Sequence, residues 1–242
     1  MSDPYAQWKG WDAADFARFS AYDARYFSWH VQRAVAPLRT PIHALEVGFG
    51  NGRFMGWLRA QGHAVVGVET NTRLVDVARG AGFSAELDVS AVDAALRFDL
   101  IAAFDVLEHV PPAQTQAFVL QLAARLNPGG RLLLRFPNAE SPLGLWMQHG
   151  DSTHVNALGL SKVRQLCAEC GMHLLHSGET LPWHQQPASR RMGALWVRLQ
   201  RKAFESRLRK MYQLPRGLDL STNQLVVLSR ADEPAQESLA TR

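Results

Sequence analysis

The run Ala44-Leu45-Glu46-Val47-Gly48-Phe49-Gly50-Asn51-Gly52-Arg53-Phe54 constrains the fold more than any other stretch of this chain. An apolar segment enters it, glycines occupy positions 48, 50 and 52, and a helical pattern leaves it. Glycines at such spacing let the backbone turn sharply and approach a ligand with no β-carbon in the way. A helix that starts there offers unpaired N–H groups and a partial positive charge. The stretch therefore reads as a strand-to-helix turn that holds a small polar ligand. The dinucleotide fingerprint Gly-x-Gly-x-x-Gly needs its third glycine to pack helix against strand. Counted from Gly48 that position is Arg53, so the fingerprint fails in register.

Further motifs follow in order. His63-Ala64-Val65-Val66-Gly67-Val68-Glu69 reads as a short buried strand ending in a carboxylate, with Thr70 next. Glu69 lies twenty-one positions after Gly48, close to the separation of a ribose-binding acid in a βαβ unit. A carboxylate can accept hydrogen bonds from both ribose hydroxyls. A third strand is expected over Ala85–Val89, with Asp88 at its end. Phe98–Phe104 reads as a fourth strand, followed by Asp105, Val106 and the Leu107-Glu108-His109 segment. Leu126-Asn127-Pro128-Gly129-Gly130 reads as a helix stop and Arg131–Phe136 as a fifth strand.

Together these five motifs, over roughly residues 43 to 137, resemble class I S-adenosylmethionine-dependent methyltransferases. The likeness is to the quinone-type and polysaccharide-tailoring small-molecule members. The resemblance implies an α/β, Rossmann-like fold: a seven-stranded, mostly parallel sheet with helices on both faces, an antiparallel edge strand and an N-terminal helical lid. It implies S-adenosyl-L-methionine as cofactor, held by Glu46, Gly48, Phe49, Gly50, Asn51, Gly52, Glu69, Thr70, Asp88, Val89, Phe104, Asp105 and Val106. In such a site the glycine loop wraps the methionine part and Asp88 meets the adenine amine.

Composition agrees with an enzyme of this kind. At 242 residues, with 47% hydrophobic and 20% charged residues, the chain suits one large α/β domain. No basic-then-apolar leader and no apolar run of about eighteen residues is visible, so a cytoplasmic location is expected. Cys167 and Cys170 fall inside a helical pattern from Ser161 to Gly171, which reads as two half-buried thiols rather than a redox pair or half a zinc site. The nine histidines show no His-x-x-x-His or comparable spacing, so no metal is expected.

Three regions outside the cofactor core should choose the acceptor. Residues 1–40 hold Trp8, Trp11, Phe16, Phe19, Tyr22, Tyr26, Phe27 and Trp29, either as a lid that excludes water or as aromatic docking onto the sheet. The segments Pro137–Pro142 and Gly150–Val155 follow the fifth strand, at the sheet end where ligands sit. His154, oriented by Asp151 or a neighbour, is the first candidate general base, and His109 the second. Their alternatives are a helix cap near Ser161 for His154 and a backbone or loop contact for His109. Within the expected insertion 188–216, residues 190–216 hold nine basic residues against the single acid Glu205, a balance of +8 in a chain of net charge +4. Apolar residues recur there at spacings of three and four, so an amphipathic helix is expected. Such a helix suits an anionic membrane surface, with peripheral attachment at the inner face of the cell membrane, or simply packs on the sheet; nucleic acid is the weakest partner. Residues 41–230 form the expected methyltransferase domain, closing on a last antiparallel strand, Asn223–Arg230, and 231–242 are expected to be a disordered tail.

The resulting expectation is O-methylation of a sugar or lipid-linked glycan hydroxyl on a small-molecule or lipid-linked substrate. The alternatives are a quinone-ring O-methyltransferase and a cofactor-binding protein without catalysis.

Overall fold

The structure, a computed structural model, describes residues 13–35, 41–178, 188–215 and 217–231. Its strands are β1 (His43–Val47), β2 (Ala64–Val68), β3 (Ser84–Glu86), β4 (Phe98–Phe104), β5 (Leu126–Pro137), β6 (Met172–Gly178) and β7 (Asn223–Arg230). They form one seven-stranded sheet in the order β3-β2-β1-β4-β5-β7-β6. The first five run parallel, and β7 lies antiparallel between β5 and the outermost strand β6. The antiparallel last strand is therefore one place in from the edge, and the edge pair β6–β7 is antiparallel.

Side-chain alternation in the central strand explains why both faces carry helices. In β4, Leu100 and Ala102 face one side and Ile101 and Ala103 the other, all fully buried. On the first side lie α1 (Ala21–Val35) and α2 (Arg53–Ala60), which bring Tyr26, Phe27, Phe54 and Trp57. On the second lie α4 (Pro112–Ala123) and α6 (Leu160–Cys170), which bring Val119, Leu122, Val163 and Leu166. The helix α3 (Thr72–Gly80) covers β3 through Leu74, Val75 and Ala78. Cys167 and Cys170 are free and buried in α6, and burial pushes the Cys167 thiol up to about 11, so both act as apolar packing groups.

Two strands differ from expectation. Strand β3 ends at Glu86 because Asp88 turns away to cap a 3-10 turn over Val89–Ala91, accepting the Ser90 N–H at 2.7 Å. Strand β5 begins at Leu126 rather than Arg131. Phe98 pairs with Leu126 and Leu100 with Arg131, so Asn127–Gly130 bulges out of the ladder. Pro128 has no N–H to give to a neighbour, and Gly129, at φ +81°, supplies the left-handed turn.

The described N-terminal residues form a 3-10 turn over Ala13–Asp15 and then α1, while Trp8 and Trp11 lie outside the described residues. A reciprocal cap starts α1: Ser20 N–H donates to the Asp23 carboxylate at 2.8 Å, and Asp23 N–H to Ser20 Oγ at 3.1 Å. The short helix α5 (Leu145–His149) follows β5. The expected basic helix is α7 (Ala188–Tyr212). It turns Leu195, Arg201, Glu205, Leu208 and Arg209 towards cover, and Glu205 binds Arg201 at 2.8 Å. Met192, Trp196, Leu199, Phe204 and Met211 stand exposed instead. No helix among the described residues is long and apolar enough to cross a membrane. Most of the expected tail, 232–242, lies outside the described residues.

Candidate active site

The strand order reverses at β1 and β4, so their carboxyl ends open a crevice at the switch point of the sheet. The glycine loop borders it. Gly48, Gly50 and Gly52 have φ of +71°, +51° and +67°, a conformation that side chains resist. Space is short as well: a β-carbon on Gly48 would lie 2.5 Å from Val106 Cγ2, and one on Gly52 2.5 Å from the Phe16 ring. Phe16 packs edge-on against Phe49 and Phe83, and Ala17 N–H donates to the Asn51 carbonyl at 2.9 Å. The N-terminal segment thus lies directly on the loop. Asn51 is buried and reaches the Asp15 carbonyl with its amide at 3.4 Å.

Two carboxyl groups stand behind the loop. Glu69, at the end of β2, accepts the Gly50 N–H at 3.0 Å, the Asn71 N–H at 3.1 Å and the Thr70 hydroxyl at 3.3 Å. Its position is held by the loop it faces. Glu46, 5% exposed, has one carboxyl oxygen with no hydrogen-bond partner among the described residues. Burial pushes its carboxyl well above the usual range; the Met55 N–H offsets part of the rise, and the neighbouring Glu69 adds to it. A buried acceptor left open at a glycine cradle fits a cationic or hydrogen-bond-donating ligand. Asp88 is exposed beyond β3, and Ser90, through its hydroxyl and its N–H, holds the Asp88 carboxyl below the usual range. Val89 beside it is buried core.

Beyond β4 the chain turns through Asp105, a non-glycine residue at φ +56°. Asp105 N–H donates to the Arg135 carbonyl at 2.9 Å, and the Arg135 guanidinium grips both Asp105 carboxyl oxygens, one through Nε at 2.8 Å. Arg135 also donates to the Tyr26 hydroxyl at 3.2 Å, tying α1 to the same corner. Val106, next in line, touches Gly48. Phe104 differs from the others: its ring packs against Tyr26, Phe27 and Phe54, so it offers the crevice only backbone. Arg135 was not among the expected site residues, although a cation in the apolar run Leu132–Phe136 is the signal that marks it. Phe16 was expected only as one of many aromatics.

His109 and His154 come together. Their ring centroids are 4.7 Å apart, edge to face, and with Glu108 they bring three ligand-type atoms within 4.8 Å of one another. His154 Nδ1 lies 3.0 Å from the Met147 carbonyl, while its Nε2 lies 3.6 Å from Asp151 and 4.0 Å from Glu108. Asp151 therefore does sit beside His154, as expected. His154 does not cap α6, whose first turn is served by Glu140 accepting the Ser161 N–H at 2.8 Å. His109 Nδ1 meets the Thr153 carbonyl at 3.2 Å and the Thr153 hydroxyl at 3.0 Å. Asn156 fastens the two segments, bonding the Leu107 carbonyl and the Thr115 hydroxyl with its amide and the Glu108 carbonyl with its N–H. The expectation of no metal rested on local spacing. The fold brings Glu108 and His109 beside His154, from a segment far along the chain, a meeting that local spacing does not show.

The sheet has known counterparts. Curated relatives include the ubiquinone biosynthesis O-methyltransferase of Coxiella burnetii, 34% identical over 98 residues, or 37% of this chain and 41% of that protein. The enzyme of the same name from Paramagnetospirillum magneticum is 33% identical over 119 residues, 46% and 47% of the two chains. This chain thus spans about two fifths to a half of those relatives. Among solved structures, an S-adenosylmethionine-dependent methyltransferase from Archaeoglobus fulgidus superposes with a TM-score of 0.63 at 14% identity, covering 94% of this chain and all 100% of that one. The magnesium protoporphyrin IX methyltransferase of Synechocystis, solved with bound S-adenosylhomocysteine, gives 0.57 at 16% identity over 93% and 94% of the chains. These likenesses show the fold. The profile described as "Methyltransferase domain" matches residues 19–177, from before α1 into β6, and on that match the chain belongs to the methyltransferase domain family.

Proposed function

We propose that this protein is an S-adenosylmethionine-dependent O-methyltransferase of a small hydroxylated ring. The observation that carries the reading is the cradle formed by three left-handed glycines, the open buried oxygen of Glu46 and the loop-braced carboxylate of Glu69. Glu46 and the backbone of 48–52 would meet the charged methionine end, Glu69 and Thr70 the ribose, and Asp88 and Val89 the base. The cofactor supplies a sulfonium methyl group: its S–CH3 bond breaks as the acceptor O–CH3 bond forms, leaving a neutral thioether and one proton. The chain has to align the acceptor and dispose of that proton. The Glu108, His109 and His154 corner, at the carboxyl end of β4, is where we assign the acceptor hydroxyl. Phe16 and Tyr26 of the N-terminal segment close the crevice against water.

The acceptor class follows from the curated relatives, which act in ubiquinone biosynthesis by their names. This favours a phenolic ring over the sugar or lipid-linked glycan expected first. A second observation bears on where the acceptor is met: α7 exposes Trp196, Phe204 and Met211 among Lys202, Arg207 and Lys210, a surface suited to anionic lipid, in which hydrophobic ring substrates dissolve. Incubation with methyl-labelled cofactor and separate panels of polyprenylated or simple catechols and of sugars tests the reading. Label should enter the phenolic hydroxyls. Label confined to sugars would overturn the acceptor assignment, and label in neither would overturn the activity.

A further inference from the structure

Two histidines stand at the substrate corner, and the contacts of each decide which can take a proton. The Met147 carbonyl can only accept, so His154 Nδ1 carries a proton. Its Nε2 faces carboxyl oxygens of Asp151 at 3.6 Å and Glu108 at 4.0 Å, and its side chain is only 8% exposed. His154 is thus enclosed between a backbone carbonyl and two acids. His109 is less enclosed, and its partners are of another kind. The Thr153 hydroxyl donates to Asp151 Oδ1 at 2.6 Å. A hydroxyl has one proton to give, so towards His109 Nδ1, 3.0 Å away, its oxygen can only accept. The Thr153 carbonyl, 3.2 Å from the same nitrogen, also accepts. His109 Nδ1 therefore carries a proton, and the lone pair of the neutral ring stands on Nε2.

We propose that Thr153 and Asp151 are positioning residues that hold His109, through a chain running from His109 Nδ1–H to the Thr153 hydroxyl to the Asp151 carboxylate, so that Nε2 is the base for the substrate hydroxyl; the use of the base rests on the methyltransferase reading, the chain does not. The chain is built into its loop. Thr153 N–H also donates to Asp151 Oδ1 at 3.0 Å, so one carboxyl oxygen fixes both the backbone and the hydroxyl of Thr153. Asp151 is 8% exposed, which keeps water from competing for that oxygen. Thr153 itself is exposed, so no buried packing demands a hydroxyl there. Asn156 binds the Leu107 carbonyl through its amide at 3.2 Å and the Glu108 carbonyl through its N–H at 3.0 Å, which keeps the loop of Thr153 against the turn of His109. The His154 ring, edge to face with His109 at 4.7 Å, limits rotation of the base. The one proton released by methyl transfer passes from the substrate hydroxyl to His109 Nε2. The imidazolium so formed is steadied through Nδ1–H by Thr153 and the Asp151 charge, and then gives its proton to solvent; the carboxylate itself stays ionised. His154, the first candidate from sequence, supports the base and His109 is the base.

The first test reads the ring directly, with neither cofactor nor substrate. Proton–nitrogen correlation spectra of the full chain with labelled histidine, at a pH of about 8.5, above the ordinary imidazole range, identify His109 by its loss in His109→Gln. The wild type should show the Nδ1–H form, with that proton protected from solvent exchange. Thr153→Val should speed its exchange by about tenfold, the equivalent of one hydrogen bond, and Thr153→Ser should restore protection. An Nε2–H form in the wild type, or unchanged exchange in Thr153→Val, would overturn the proposal. The second test is turnover of catechol and of the more acidic nitrocatechol with methyl-labelled cofactor. His109→Gln should lower kcat by about a hundredfold and Thr153→Val by about tenfold, with S-adenosylhomocysteine affinity and KM held and Thr153→Ser active. The Thr153→Val loss should be smaller for nitrocatechol, whose hydroxyl needs less help. Equal losses for the two substrates, or a larger loss in His154→Gln than in His109→Gln, would overturn the assignment of the base. A wild type that keeps the protected Nδ1–H but methylates no hydroxyl supports the chain and overturns the O-methyltransferase reading alone.

Discussion

The Phe16 ring lies so close over Gly52 that a β-carbon there would stand 2.5 Å from it. The N-terminal segment and the cofactor loop are therefore a single packed unit, with Ala17 and Asn51 joined by a backbone hydrogen bond of 2.9 Å. Gly52→Ala meets two obstacles, a left-handed backbone and the ring. We expect a loss of about 2–4 kcal/mol, of which about 1 kcal/mol is backbone. In a Phe16→Ala background only the backbone part remains, so a double-mutant cycle by chemical denaturation should give a coupling of about 1–3 kcal/mol. Additive losses would show that the ring does not rest on the loop.

His30 makes stability depend on pH. It is 1% exposed, neither ring nitrogen has a hydrogen-bond partner among the described residues, and the Tyr26 ring stands 4.4 Å away. Burial first, then Arg135, His176 and Arg33, push its pKa down to about 3. Between that value and the unfolded value near 6.5 the unfolded chain binds the extra proton. The stabilising effect of a neutral His30 is thus complete above about pH 6.5 and declines as the pH falls towards 3. From pH 7 to 4.5, wild type should lose about 2–3 kcal/mol relative to His30→Leu, with the two stability curves converging or crossing towards acid. Parallel curves would contradict this.

The helix α7 directs its ion pairs inward and its apolar groups outward. Arg201 and Arg209 are engaged by Glu205 at 2.8 and 3.9 Å, while Lys202, Arg207 and Lys210 are among the exposed charges beside Trp196 and Phe204. Flotation with anionic vesicles should recover the wild type. Reversing Lys202, Arg207 and Lys210 to Glu should abolish recovery, at about 1 kcal/mol for each charge lost, and Trp196→Ala should weaken it. Recovery that is absent in wild type, or equal with neutral and anionic lipid, would remove the membrane reading.

The cofactor end of the site was legible because its residues are local. A glycine loop has to turn where its glycines are, and Glu69 follows one βαβ unit later, so spacing alone places both. The unbroken apolar run Leu100–Ala103, within the expected fourth strand, likewise suits a strand covered on both faces. The acceptor end was legible only in part. Asp105 and Arg135 are thirty residues apart, and their grip depends on β4 and β5 being neighbours in register, with Phe104 opposite Arg135. His109 and His154 could each be suspected, but their meeting depends on Asn156 and Thr153 folding one segment onto the other. Strand limits were lost where side chains overruled pattern: Asp88 turned to cap, and the Asn-Pro-Gly-Gly run bulged without ending the ladder.

The most direct measurement is calorimetric titration of S-adenosylmethionine and S-adenosylhomocysteine into wild type and Glu69→Ala, with circular dichroism to confirm the fold. Glu69 is braced by the Gly50 N–H at 3.0 Å and would take the ribose, so one site with micromolar affinity in wild type and a loss of at least about tenfold in Glu69→Ala is the expected result. Undiminished affinity in a folded Glu69→Ala, or no binding by the wild type, would contradict the assignment of the cradle to the cofactor.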